Sequence, residues 1–111
     1  MTPTIGDPRI VLPQQIKRDA VIFVRAMLAH PMYTGMSRDH DGTLIPEYFV
    51  KKVTVTYGGA EIAHFEWTSG VSADPYIEFP VRATREAPLA IAWTDSKGHV
   101  YRQSANVAFS A

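Results

Sequence analysis

Short segments with a period of two dominate the hydrophobic pattern of the chain. Between turns rich in Gly, Pro, Asp and Ser, apolar residues alternate with polar ones, and helical spacing is not sustained anywhere. Such alternation is typical of antiparallel sheets that bury one face. Seven short strands in about a hundred residues favour an all-β fold, an immunoglobulin-like antiparallel β-sandwich, over a barrel. We place the strands at residues 9–12, 19–29, 49–57, 60–68, 76–83, 89–94 and 99–109.

The second predicted strand is unusual because both of its faces are apolar. A strand buried on both faces needs a second cover, and a partner chain could supply it. Two alternatives remain open: a loop of the same chain lying over a central strand, or a helix mistaken for a strand. The two faces carry Ala20, Ile22, Val24, Ala26 and Leu28 on one side, and Val21, Phe23, Arg25, Met27 and Ala29 on the other.

Turn residues separate the later strands. Gly58-Gly59 tolerates the positive φ angles of a two-residue hairpin, and residues 95–98 (Asp-Ser-Lys-Gly) predict the last hairpin turn. The prolines at 75, 80 and 88 suit strand starts and edges, because proline donates no hydrogen bond to a ladder. The return strand after Gly59 should turn His64 and Glu66 away from the core.

Length and composition narrow the function classes. A chain of 111 residues without a linker predicts a single β-sandwich domain over 1–111. Eleven basic residues balance eleven acidic ones without clustering, which makes nucleic acid a poor partner. The absence of cysteine excludes disulfides, a thiol nucleophile, iron–sulfur clusters and Cys-ligated zinc. Taken alone, an N-terminus without a signal-like pattern indicates the cytoplasm, and no apolar stretch is long enough to cross a membrane.

The candidate catalytic and metal-binding motifs in the sequence are all incomplete. Asp39 and Asp41 before Gly42 resemble part of a calcium loop, but Tyr48 stands where a bidentate Glu belongs, so we expect a solvated turn. The four histidines lack metal-ligand spacing, and the serines lack a nucleophile elbow. His64 and Glu66 on one strand face predict a solvated surface pair. We therefore assign no catalytic, cofactor-binding or metal residue and predict that the chain is not an enzyme.

The irregular stretch 30–46 is the longest loop and contains apolar residues where polar ones are expected. Met32, Tyr33 and Met36 have the composition of an adaptable contact surface. The alternative is that these side chains fold back and cap one end of the sandwich. Under either interpretation the loop is a binding feature before it is a catalytic one.

Several short blocks occur in a fixed order along nearly the whole chain. They are His30-Pro31-Met32-Tyr33-Thr34-Gly35, Asp39 with Gly42, Ile45-Pro46, Phe49-Val50, Val53-Thr54-Val55, Val71-Ser72-Ala73-Asp74-Pro75-Tyr76 and Trp93-Thr94-Asp95-Ser96-Lys97-Gly98. This order resembles the SoxZ family, the cysteine-free subunit of the SoxYZ thiosulfate-oxidation carrier. One departure from the family pattern is Tyr33, where an acidic residue is expected.

The resemblance implies a heterodimer of two immunoglobulin-like subunits. The partner, a SoxY-like subunit, would carry the sulfur intermediate on a cysteine and meet the enzymes of thiosulfate oxidation transiently, and this chain would be its non-catalytic half. The family also implies export to the periplasm together with a signal-bearing partner, and we follow this over the cytoplasmic indication. Under this interpretation the missing thiol in one subunit predicts a thiol in the other.

The candidate partner contacts lie on two surfaces. Phe23 and Met27 belong to the second face of the second strand, and Met32, Tyr33 and Met36 belong to the loop. The alternative hypothesis is a stand-alone β-sandwich module that binds a small ligand or cation through residues 36–46. No cofactor, nucleic acid or membrane is expected in either case.

Overall fold

A computed structural model describes residues 5–110, which form seven antiparallel strands in two sheets. The all-β sandwich predicted from the alternation is confirmed. A three-stranded sheet has the order β1-β2-β5, and a four-stranded sheet has the order β4-β3-β6-β7. The described residues include no helix with the length and apolarity that crossing a membrane requires. The strands are β1 (Gly6–Val11), β2 (Val21–Ala29), β3 (Val50–Tyr57), β4 (Ala60–Glu66), β5 (Tyr76–Arg82), β6 (Ala87–Asp95) and β7 (Val100–Val107).

Strand ends differ from the prediction where the backbone is irregular. β1 begins earlier than expected, at Gly6, because Gly6 still pairs with Ala29 of β2. Between Gly6 and Arg9 the register with β2 shifts, and Gly6 and Asp7 take positive φ angles of 107° and 50°. Alternating hydrophobicity carries no signal for such a bulge. β4 ends at Glu66 and β7 at Val107, each two residues short of the predicted strand.

The core lies between the two sheets and follows the alternation. In β2, Val24, Ala26 and Leu28 are completely buried, which confirms the inward face of that strand. Trp93 of β6 is also completely buried and packs in the same cluster. Full burial of a side chain such as that of Val24 or Leu28 stabilises the fold by about 1.5 to 3 kcal/mol.

The sandwich closes on one side and stays open on the other. β1 of one sheet contacts β7 of the other, whereas β4 and β5 are the opposite edge strands. Pro80 lies within β5 and removes a backbone donor from that edge. β4 carries a bulge, because Val55 pairs with Ala63 and Thr56 with Glu61, which leaves Ile62 as the extra residue.

Both predicted hairpin turns are present. Gly58 and Gly59 have φ angles of 60° and 85° and connect β3 to β4. A side chain is rarely tolerated in that region, which explains the paired glycines. The last turn ends at Gly98, whose φ is 89°.

Candidate functional site

The solvent side of the three-stranded sheet, which we call the outer face, carries a row of exposed apolar side chains. The register places Phe23 beside Pro80 and Met27 beside Tyr76, so these side chains share one side of the sheet. Phe23 is 56% exposed and Tyr76 is 52% exposed. Val11 and Val21 are also half exposed. Because strand alternation sends these residues away from the core, the sandwich itself does not bury them.

One ion pair crosses the middle of the outer face. The Arg25 Nε donates to the Glu78 carboxylate at 2.9 Å, and the Tyr76 hydroxyl lies 3.2 Å from the same carboxylate. Both charged side chains are exposed, so the pair stabilises the fold by less than about 1 kcal/mol. The outer face therefore carries apolar side chains on both sides of one neutralised ion pair, with the exposed side chains of Arg9 and Arg82 at its margins.

The second face of β2 is uncovered within residues 5–110. Strand pairing on both sides of β2 shows that this segment is not a helix, and the exposure of Phe23 shows that no described loop lies over it. Both of those alternatives are wrong. Cover by a partner chain stays a prediction.

A groove of about 570 Å³ opens at one end of the outer face. Its walls are the end of β1 at Val11, the start of β2 at Val21 and Phe23, and the connecting segment at Gln15 and Lys17. Sequence patterns missed this feature, because the connecting segment has no periodicity that would place it beside β2.

The loop from His30 to Tyr48 lies at the end of the sandwich that also holds the 95–98 turn, and we call this the loop end. Met32 is buried at 4% exposure and packs in the core, whereas Met36 is 82% exposed and Tyr33 is half-buried. The Tyr33 and Tyr48 backbones pair with each other and hold the loop against β3. Met32 thus caps the core, and only Met36 and Tyr33 offer surface.

The carboxylate of Asp95 organises the loop end. It is completely buried and accepts hydrogen bonds from the Tyr48 hydroxyl at 2.7 Å and from the backbone N–H groups of Lys97 and His99 at 3.0 and 2.9 Å. The Lys97 ammonium lies 4.0 Å from the centre of the Tyr48 ring. One side chain therefore connects β6, the last turn and the end of the long loop.

His30 completes this cluster from the end of β2. Its ring is completely buried and stacks edge-on against Tyr48, with 4.5 Å between the ring centroids. The Nδ1 atom accepts the Met32 backbone N–H at 3.2 Å, so the neutral ring carries its proton on Nε2. That Nε2 lies 3.8 Å from the Asp95 carboxylate and has no hydrogen-bond partner within residues 5–110.

Burial and hydrogen bonding shift the pKa values of this cluster in opposite senses. Burial lowers the pKa of His30 below its ordinary value more strongly than the Asp95 charge raises it. Burial alone would raise the pKa of Asp95, but the hydrogen bonds from Tyr48, His99 and Lys97 outweigh it and the pKa falls below its ordinary value. Burial, and to a smaller extent the hydrogen bond to Asp95, raise the pKa of Tyr48, so its hydroxyl keeps its proton and donates to Asp95. The cluster thus holds a neutral imidazole beside a carboxylate.

The acidic turn of the long loop is a closed structure of its own. Asp39 Oδ1 accepts from the backbone N–H groups of Asp41 and Thr43, each at 3.1 Å, and Gly42 has a φ of 88°. The expected turn is therefore present. Within the described part of the chain, no group of three or more His, Asp or Glu side chains is arranged to hold a metal ion.

The surface pair predicted on β4 has a different partner. His64 lies 3.6 Å from the Glu61 carboxylate, not beside Glu66, and both side chains are exposed. The bulge at Ile62 is the physical reason, because the extra residue turns Glu61 to the face that His64 occupies. The expectation of a solvated pair is right, and the identity of the acid was wrong.

Two sheets around one core define this protein as an all-β sandwich, and sequence comparison defines its family. The model of the family described as Sulphur oxidation protein SoxZ matches residues 10–106. The chain therefore belongs to the SoxZ family, and it is a Sox sulfur-oxidation subunit. No curated protein sequence matches it closely.

Solved structures share the fold at low sequence identity. The sulfur carrier protein SoxY from Chlorobium limicola f thiosulfatophilum is similar with a TM-score of 0.62 and 14% identity, over 90% of this chain and 72% of that one. A superoxide reductase (neelaredoxin) from Ignicoccus hospitalis reaches a TM-score of 0.69 at 12% identity, over 96% and 82% of the two chains. A putative superoxide reductase from Thermotoga maritima reaches 0.70 at 14% identity, over 94% and 86%. At these identities the likeness shows the fold alone.

Proposed function

We propose that the chain is the non-catalytic subunit of a heterodimeric sulfur carrier complex in thiosulfate oxidation. Its partner is a SoxY-like subunit whose cysteine carries the covalently bound sulfur intermediate. Membership of the SoxZ family supports this role, and so does a sequence without cysteine, which leaves the sulfur chemistry to the partner. The observation that carries the proposal is the uncovered apolar outer face.

Exposure of the outer face supports its use as the contact surface. Phe23 beside Pro80 and Met27 beside Tyr76 form two apolar rows on the same side of the sheet, one on each side of the Arg25–Glu78 row. Aromatic and methionine side chains are enriched at protein interfaces, and exposed apolar patches mark interaction sites. Arg25 and Glu78 neutralise each other, and Arg9 is paired with Asp7, whereas Arg82 at the margin donates to the Asp19 carbonyl.

The loop end supplies the second part of the proposed contact. Met36 and Tyr33 project from a loop that is fixed to the core through Met32 and to β3 through Tyr48. A fixed loop loses little conformational freedom when it binds. We leave Met32 out of the contact set, because it is buried in this chain alone.

Affinity for the partner subunit tests the proposal. The purified chain and its SoxY-like partner should form a one-to-one complex at micromolar concentration, measured by calorimetry and gel filtration. Phe23→Asp should weaken the complex by at least about 2 kcal/mol, or roughly thirtyfold, because it removes an aromatic anchor and buries a charge. Ile62→Asp is the matched control, since Ile62 is 44% exposed on the other sheet. A chain that ignores the partner at these concentrations refutes the role.

We further propose that the chain reaches the periplasm bound to a partner that carries the export signal. Cell fractionation tests this part separately. Deleting the signal of the partner should leave both subunits in the cytoplasm, whereas export of this chain without the partner contradicts co-export.

A further inference from the structure

The connecting segment between β1 and β2 is held in place from three sides. Ile16 is buried in the core, its N–H donates to the Ser110 hydroxyl at 2.9 Å, and its carbonyl accepts the Ser110 N–H at 2.8 Å. Asp19 donates its N–H to the Ala83 carbonyl at 2.8 Å. The wall of the groove is therefore preformed.

Charge in the groove has one sign. Its lining includes Lys17 and Arg25 and contains no acidic residue. Arg25 is already paired with Glu78, whereas the neighbouring Arg18 is drawn away to the ring of Phe109, 4.9 Å from its centroid. Lys17 is thus the cation that the groove presents, beside the apolar side chains of Val11 and Val21.

We infer that this groove receives an apolar side chain of the SoxY-like partner, with a carboxylate of the same partner segment bound by Lys17. The inference rests on the proposed function and adds the specificity of the contact. A preformed concavity of this size suits a buried anchor, because preorganisation removes part of the ordering cost of binding. The groove also runs directly into the outer face, since Val21 and Phe23 belong to both.

Charge reversal tests the electrostatic half of the inference. Lys17→Glu should weaken affinity for the partner subunit about tenfold or more at low salt, and the difference from wild type should shrink as salt rises. Lys51→Glu is the matched control, because Lys51 is exposed on β3 in the other sheet. Equal affinity and equal salt dependence for Lys17→Glu and wild type overturn the inference.

Steric filling tests the apolar half. Gln15→Trp should occupy the groove and weaken the complex severalfold or more, whereas Gln14→Trp should not, since Gln14 is exposed but does not line the groove. Unchanged thermal unfolding of each variant shows that the fold is intact. If both tryptophan variants bind the partner like wild type, no anchor enters the groove.

The outcomes separate this inference from the proposed function. Loss of binding by Phe23→Asp with normal binding by Lys17→Glu and Gln15→Trp refutes the groove and leaves the carrier role standing. A wild-type chain that does not bind the partner refutes both. Self-association of this chain alone that Gln15→Trp abolishes, measured by sedimentation, identifies a second copy as the occupant and overturns the inference.

Discussion

Removing the buried carboxylate of Asp95 should destabilise the protein far more than the loss of one surface turn. Asp95→Ala takes the hydrogen-bond acceptor away from the hydroxyl of Tyr48, a residue that is 8% exposed, and from the N–H groups of Lys97 and His99. Each hydrogen bond to a charged group contributes about 1.5 to 3 kcal/mol. Water can replace the acceptor for the two N–H groups in the exposed turn, but not fully for the buried hydroxyl. We therefore expect a loss of about 3 to 5 kcal/mol in the free energy of unfolding.

Urea denaturation followed by tryptophan fluorescence measures this loss. Asp95→Asn is the matched control, because both backbone N–H groups bind Oδ1, which the amide oxygen of Asn can replace. Only the Oδ2 acceptor of Tyr48 becomes an amide nitrogen, so Asn should cost about 1 to 2 kcal/mol. If Asp95→Ala costs less than about 1 kcal/mol, or as little as Asn, the carboxylate does not hold the loop end together.

Three further predictions concern acidity, the β3–β4 turn and the core. Because folding lowers the pKa of His30, the unfolded chain binds more protons below about pH 6.5, so the free energy of unfolding should fall between pH 7 and pH 5. His30→Gln should flatten that slope in pH-dependent urea titrations, whereas a slope equal to that of the wild-type chain contradicts the assignment. Gly59→Ala should lower the free energy of unfolding by about 1 kcal/mol, measured by thermal unfolding, because the φ of Gly59 is 85°. Gly70→Ala should lower it clearly less, because Gly70 has no positive φ, and equal losses for the two variants contradict the turn argument. Leu28→Ala should cost about 2 to 5 kcal/mol in urea, since Leu28 is fully buried between the sheets, and a cost below 1 kcal/mol contradicts that placement.

The alternation of hydrophobic residues was sufficient to predict the strands of both sheets, because every strand of a sandwich must bury one of its two faces. In β6, Leu89, Ile91 and Trp93 had to share a face for the strand to bury it, and all three are at most 1% exposed. The same rule sent Phe23 outward while Ile22 and Val24 pointed inward. Local periodicity therefore identified both the core and the outer face.

The buried polar cluster could not be predicted in the same way. His30, Tyr48 and Asp95 come from three separate segments, and only the packing of the loop end brings them together. In the sequence Asp95 looks like an ordinary turn residue, and its burial depends on partners that are 47 positions away or more. The one available signal was the residue type, because an aspartate at the start of a turn commonly accepts hydrogen bonds from the backbone N–H groups that follow it.

Irregular backbone explains the remaining differences. The bulge at Ile62 changed the partner of His64, and a register shift between Gly6 and Arg9 lets β1 pair with β2 as far as Gly6. Neither Ile62 nor Asp7 lies in a glycine-rich sequence of the kind that marks a tight turn, although Asp7 follows Gly6. A single inserted residue shifts every later side chain relative to the partner strand, which makes such details invisible to a period-two analysis.

The edge strands β4 and β5, on the open side of the sandwich, limit how the protein can assemble. An exposed apolar sheet face invites association, and unguarded edge strands would let such association continue from chain to chain into aggregates. Pro80 in β5 and the Ile62 bulge in β4 interrupt the two edges on that side, so strand-to-strand growth is disfavoured there. Contact across the outer face then ends once that face is covered. The fold thus favours closed complexes of defined stoichiometry over open-ended fibres.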